Sequence, residues 1–202
     1  RFKTELSSLI NPSQSLWSLD DGTNVALVLE YTGSSTISGS YSGSIIDPNY
    51  QYATLKFTTD NFSNSSSIYL PFLDGGWWSV MITNNGGDYT LHTGNKIYNG
   101  DDGTKIGFYQ TSSYNASTTN WDNGITSSFS APAPITLGGK LYQRFSGSYQ
   151  EIRYYTEAIT ENVFKDYVMN PLSYEGNTIN SSPNTLAFRA DLGSELIRIT
   201  SS

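Results

Sequence analysis

An all-β sandwich of two packed antiparallel sheets with one short helix is the fold class this chain predicts, and three observations predict it. Apolar residues recur with a period of two over most of the chain, and helical periodicity is nearly absent. Turn-forming clusters (Asp20-Asp21-Gly22, Asp74-Gly75-Gly76, Asn84-Asn85-Gly86-Gly87, Asn99-Gly100-Asp101-Asp102-Gly103, Gly138-Gly139) separate the alternating runs at short intervals. The third is composition: charged residues are only 14%, while Tyr (15) outnumbers Phe (9) and Ser, Thr, Asn and Gly fill the polar positions. Many short strands rich in aromatic and β-branched residues fit a sandwich or jelly roll rather than a parallel sheet.

The elements follow in order. Val25–Tyr31 is a continuous apolar run and reads as a buried strand. Tyr52–Thr58 alternates, with Ala53, Leu55 and Phe57 on one face and Thr54, Lys56 and Thr58 on the other. Ser67–Phe72 follows, then Trp77–Thr83, in which Trp78, Val80 and Ile82 share one face and Trp77, Ser79, Met81 and Thr83 the other. Tyr89–Thr93, Lys105–Gln110, Ile135–Leu137 and Tyr149–Tyr155 complete the predicted strands. One helix is expected after Thr160, a suitable N-cap, with Val163, Phe164, Tyr167 and Val168 as its apolar stripe and Asn170-Pro171 as its stop.

Length and charge narrow the function classes. With 202 residues, one domain is the default, and about 70% of the unfolded chain's surface can be buried. A net charge of −7 with 11 scattered Lys and Arg offers no basic face for phosphates, so nucleic acid is excluded as a partner. The absence of cysteine removes disulfide scaffolds, thiolate zinc sites and Cys nucleophiles. The longest apolar run, Val25–Leu29, is too short to span a bilayer, so membrane insertion is not expected. The start at Arg1-Phe2, without Met, reads as a piece of a longer protein.

The ends divide the expected organisation. Residues 1–14 read as an N-terminal segment, the end of a preceding module; 15–172 as the jelly-roll domain; and 173–202 as a linker and the start of a next module. The last boundary rests on a match in chemical type between Phe188-Arg189-Ala190-Asp191-Leu192-Gly193-Ser194 and Phe2-Lys3-Thr4-Glu5-Leu6-Ser7-Ser8.

The succession of Trp77-Trp78-Ser79-Val80-Met81-Ile82, Asp88-Tyr89-Thr90-Leu91-His92 and Phe145 to Thr160, an alternating strand that ends in a capped helix, resembles the concanavalin A-like lectin/glucanase superfamily in its laminin-G-like form. The resemblance covers residues 15 to 172 and implies a concanavalin A-like jelly roll. That fold serves lectins, glycosidases and inert spacers alike. Glu151-Ile152-Arg153-Tyr154-Tyr155 with Phe164-Lys165-Asp166-Tyr167-Val168-Met169-Asn170-Pro171 resembles laminin-G-like modules in structural proteins of marine viruses and tailed phages.

Catalytic patterns are missing from the sequence. Glycosidic hydrolysis needs two carboxyl groups held about 5–5.5 Å apart, or wider for inversion. The glucanase relatives carry them as alternating acids on one strand. Here Glu151 is followed at the next same-face position by Arg153. His92 is the sole histidine, in an alternating strand, and no Gly-x-Ser-x-Gly elbow surrounds a serine. No catalytic residue is assigned, and no enzyme is expected.

Two kinds of binding stay open. Calcium takes carboxylate and amide oxygens in a flexible loop, and Asp101, Asp102 and Asn99 match that chemistry, although Asp-Gly and Asn-Gly are also ordinary turn residues. No other cofactor is expected. Sugars need an aromatic platform with polar neighbours; Trp121 and Asp122 in a polar loop, Tyr114 and Asn115 before it, and Trp77 opposite the core face are the candidates. The leading expectation is a non-enzymatic structural or surface module of a virion or cell-surface appendage. Its partners would be other structural proteins or copies of itself. A glycan-binding attachment module is the alternative, and an atypical glycosidase a third reading.

Overall fold

The computed structural model describes residues 1–5, 13–19, 25–31, 36–37, 45–46, 51–59, 63–116, 135–137, 143–172, 185–190 and 192. Its strands are β1 (Phe2–Glu5), β2 (Ser13–Leu19), β3 (Val25–Glu30), β4 (Thr36–Ile37), β5 (Ile45–Ile46), β6 (Ala53–Thr58), β7 (Ser65–Leu70), β8 (Asp74–Asn85), β9 (Asp88–Tyr98), β10 (Thr104–Asn115), β11 (Ile135–Leu137), β12 (Gln143–Arg144), β13 (Ser148–Tyr149), β14 (Ile152–Tyr155) and β15 (Leu186–Ala190). One α-helix, α1 (Glu161–Met169), lies among the described residues.

The expected all-β sandwich is present. A five-stranded sheet runs β10-β9-β8-β1-β13, and a six-stranded sheet runs β11-β2-β3-β6-β7 with β12 also on β2. Every ladder in both is antiparallel except β12 on β2. Alternation builds the layer between them. Ala53, Leu55 and Phe57 are buried on one face of β6, as the sequence predicts, and meet Trp78, Tyr89 and Leu91 from the opposite sheet. Five of the six residues of β3 are buried, which is why this central strand reads as an unbroken apolar run. Aromatic contacts seal the layer: Phe72 stands edge-on to Trp78 at 4.7 Å, and Tyr89 stacks on Tyr114 at 5.5 Å.

The structure extends the sheet beyond the predicted elements. β1 falls in residues 1–14, outside the predicted domain, yet it lies between β8 and β13 and places Phe2 in the core. β15 falls in residues 173–202, the predicted linker and start of a next module, and pairs with β14. The predicted strands in the Trp77, Tyr89 and Lys105 regions are each longer, 12, 11 and 12 residues in β8, β9 and β10. The predicted single strand Tyr149–Tyr155 is two, because Glu151 takes φ 58° and turns the chain between β13 and β14.

Polar side chains tie the layers where apolar contact ends. Gln14 Oε1 accepts from Ser146 N at 2.8 Å, Thr4 Oγ1 donates to the Ser146 carbonyl at 2.7 Å, and Tyr149 donates to the Leu16 carbonyl at 2.7 Å. Gly147 passes close under β1: a Cβ there would meet the Lys3 carbonyl at 2.4 Å.

Candidate functional site

α1 lies across the outer face of the five-stranded sheet. Thr160 caps it as predicted, with Val163 N donating to Oγ1 at 3.5 Å, and its buried stripe is the predicted Val163, Phe164, Tyr167 and Val168. Gly94 on β9 gives Val168 room to approach: a Cβ at Gly94 would meet Val168 Cγ2 at 3.3 Å.

The chain's one histidine sits under this helix. His92 points outward because its neighbours Leu91 and Thr93 point inward, and α1 then buries it. Its Nδ1 shares a hydrogen bond with the Tyr109 hydroxyl at 3.0 Å, and its ring lies 5.9 Å from Phe164. Burial pushes the imidazole below its ordinary value, against the pull of Glu161. Burial, with the Glu161 charge and hydrogen bond, pushes the Tyr109 phenol up to about 12. Lys165 is 2.5 Å from Glu161 and 4.4 Å over the Tyr109 ring. His92, Tyr109 and Phe164 form a network that seats the helix.

A second polar cluster surrounds Glu151. Arg153 Nε donates to its Oε2 at 2.7 Å, and Arg189 donates to both carboxylate oxygens through Nε and to Oε1 through Nη2. Burial opposes the charge, but the bonds from Arg189 and Arg153 hold the carboxyl below the ordinary carboxylate value. Arg153 continues to the Pro171 carbonyl at 2.6 Å and lies over the Tyr167 ring at 4.7 Å. The carboxylate is therefore flanked by two cations, which suits a structural anchor. The sequence shows the Glu151 and Arg153 pair; Arg189, 36 residues beyond Arg153, gives no local sign.

Three of the predicted ligand residues, Tyr114, Asn115 and Trp77, lie among the described residues. Tyr114 is on the inner face of β10, stacked on Tyr89, 6.1 Å from Phe57, with its hydroxyl donating to Thr59 Oγ1 at 3.0 Å. Asn115 is exposed at the strand end and donates to Asp88 Oδ1 at 2.6 Å across the β9–β10 pair. Trp77 lies on the outer face, opposite Lys3 in register, with the Arg1 guanidinium 5.3 Å from its ring. Trp121 and Asp122 lie outside the described residues.

The predicted calcium loop is a single 3-10 turn, Gly100–Asp102. Asp102 Oδ2 accepts from Asn99 Nδ2 at 2.7 Å and from Lys105 Nζ at 3.3 Å. Among the described residues no cluster of three or more acidic or histidine side chains converges, and no helix is long and apolar enough to cross a membrane.

Sequence reasoning missed Asp74 and Asn95. Asp74 Oδ1 accepts from the indole nitrogen of buried Trp78 at 3.1 Å, and Asn95 Oδ1 accepts from Phe108 N at 2.8 Å beside the irregular stretch of β10. Both look like ordinary turn or strand polar residues until their partners are placed.

The fold and these clusters define the class: an antiparallel β-sandwich with one sheet face covered by a helix. No family model, curated protein or solved structure matches the chain.

Proposed function

We propose that this chain is a non-enzymatic structural module, used on the surface of a virion or a cell-surface appendage. One observation carries the non-enzymatic, structural part: the described groups that chemistry or a sugar would use are engaged within the fold. His92 lies under α1 against Tyr109 and Phe164, Glu151 is held by two arginines, and Tyr114 is stacked in the core. The laminin-G-like resemblance of residues 15–172 adds the surface setting and points to large assemblies as its context.

Alanine variants at Tyr114 and Trp77, scored for both folding and binding to a glycan array, test the reading. Tyr114→Ala lowers stability by about 2 kcal/mol, less than truncation of a fully buried aromatic because Tyr114 is half-buried, and neither variant loses a glycan interaction. A Trp77 or Tyr114 variant that keeps the parent's unfolding midpoint while losing a specific sugar would overturn the structural reading in favour of the attachment module.

A further inference from the structure

α1 is attached to the sandwich without belonging to its core. The core cluster holds Trp78, Tyr89 and Leu91 on the inward face of β8 and β9. Val163, Phe164, Tyr167 and Val168 are buried apart from that cluster, toward the outward face of the same sheet. Nine residues are too few for a helix that is stable alone, since isolated helices shorter than about 12–15 residues are marginal in water. Docking therefore holds α1. The ladders among β8, β9 and β10 do not depend on it, so the helix can leave while they stay paired.

The surface under the helix is polar. His92 is 8% exposed, and Ser79, paired with Gly94 beneath Val168, is buried as well. The Tyr109 hydroxyl bonds to Glu161, so its oxygen accepts from His92 Nδ1. Nε2 is then the nitrogen left to take up a proton, and no described group bonds it. The Phe164 ring, 5.9 Å away, offers an imidazolium no hydrogen-bond acceptor. The charged groups on the helix side are Glu161, which draws a proton toward the ring, and Lys165, which is paired with Glu161 and lies over Tyr109. On the flanking strands Met81 and Thr111 stand opposite His92, and neither is charged. Lys96 of β9 is engaged at the far end of the helix, on the Met169 carbonyl at 3.1 Å.

We propose that α1 is an acid-released cover: protonation of His92 shifts the helix toward an undocked state that bares the outward face of β8 to β10 around Ser79, His92 and Tyr109, while the sandwich stays folded. In the docked state burial outweighs the Glu161 charge and holds the imidazole below its ordinary 6.5; undocked, it titrates at that ordinary value. Below 6.5 the undocked state binds the proton more tightly. Undocking gains up to about tenfold per pH unit that separates the two titrations. The carboxyls of Glu151 and Glu161 are held below 4.5, so they bound the window from beneath. This property goes beyond the structural role and holds whatever the module binds.

Amide hydrogen exchange of the full chain, expressed as protection factors, tests the cover. As the pH falls from above 6.5 to just above 4.5, the Phe164 and Asn170 amides, bonded to the Thr160 and Asp166 carbonyls, lose protection while the amides of β6 keep theirs. In His92→Phe, α1 keeps its protection throughout that window. The chain has one histidine, so a single imidazole resonance reports its titration in the parent, below 6.5. No loss in the parent, an equal loss in His92→Phe, a loss that α1 and β6 share, or an imidazole titrating at or above 6.5 overturns the proposal.

Discussion

Arg189 binds Glu151 across the β14–β15 ladder, with its Nε 2.9 Å from Oε1 and its Nη2 on the same oxygen. The acid it binds is the one described non-glycine residue with positive φ. A left-handed residue costs about 1–2 kcal/mol, so the two arginine contacts offset a local strain at the point where the strand leaves the large sheet. Arg153 passes the connection on to the end of α1.

Glu151→Gln keeps the side-chain volume and removes the charge. Arg153, only 10% exposed, then loses its carboxylate. Breaking a buried pair by removing one partner costs about 3 kcal/mol. Urea unfolding of the variant is expected to show that loss.

Acid reaches His92 before Glu151. The folded-state pKa of His92 lies below its ordinary 6.5, so the unfolded chain takes up its proton first. His92 costs nothing above that pH and an increasing amount as the pH falls from 6.5 toward the folded value. The folded-state pKa of Glu151 lies below its ordinary 4.5; its stabilisation is full above 4.5 and is lost as the pH falls through the folded value. His92→Phe keeps a ring against Phe164. Its unfolding midpoint, followed against pH, is predicted to fall less than the parent's as the pH drops below 6.5 and to keep the loss below 4.5.

Gly147→Ala places a methyl group 2.4 Å from the Lys3 carbonyl and 2.5 Å from the Phe145 ring. The strand β1 must move, and overpacking of this kind costs about 1–3 kcal/mol. Thermal denaturation is expected to report a lowered midpoint, with proteolysis gaining access near β1.

Thr93→Val is expected to stabilise the fold. Thr93 is wholly buried in β9 and its Oγ1 has no hydrogen-bond partner. Replacing an unsatisfied hydroxyl by an isosteric methyl removes a desolvation cost of about 1 kcal/mol. A denaturant titration with no gain, or a loss, would show that the hydroxyl is bonded in solution.

Where alternation is long and the neighbours are local, the fold is readable from the residues. Tyr52–Thr58 and Val25–Tyr31 show their burial directly, and Thr160 with the Val163-to-Val168 stripe marks the helix. β1 is invisible because four residues carry too little periodicity and its partners, such as Trp78 and Tyr149 opposite Phe2, lie far along the chain. Tyr114 reads as a loop aromatic when the strand is ended at Gln110; continued to Asn115, the same alternation puts Tyr114 on the inner face beside Tyr89. The cover over His92 depends on where α1 docks, which no local pattern contains. The left-handed turn at Glu151 is unmarked because glycine, its usual signal, is absent there.

The most direct measurement is a glycan-array screen of the full chain, in calcium and again in EDTA. Under the proposed structural role the folded protein gives no saturable, specific signal in either condition. Specific binding to one class of glycan, lost in Trp121→Ala at unchanged stability, would contradict it and make this an attachment lectin; dependence on calcium would further implicate Asp101 and Asp102.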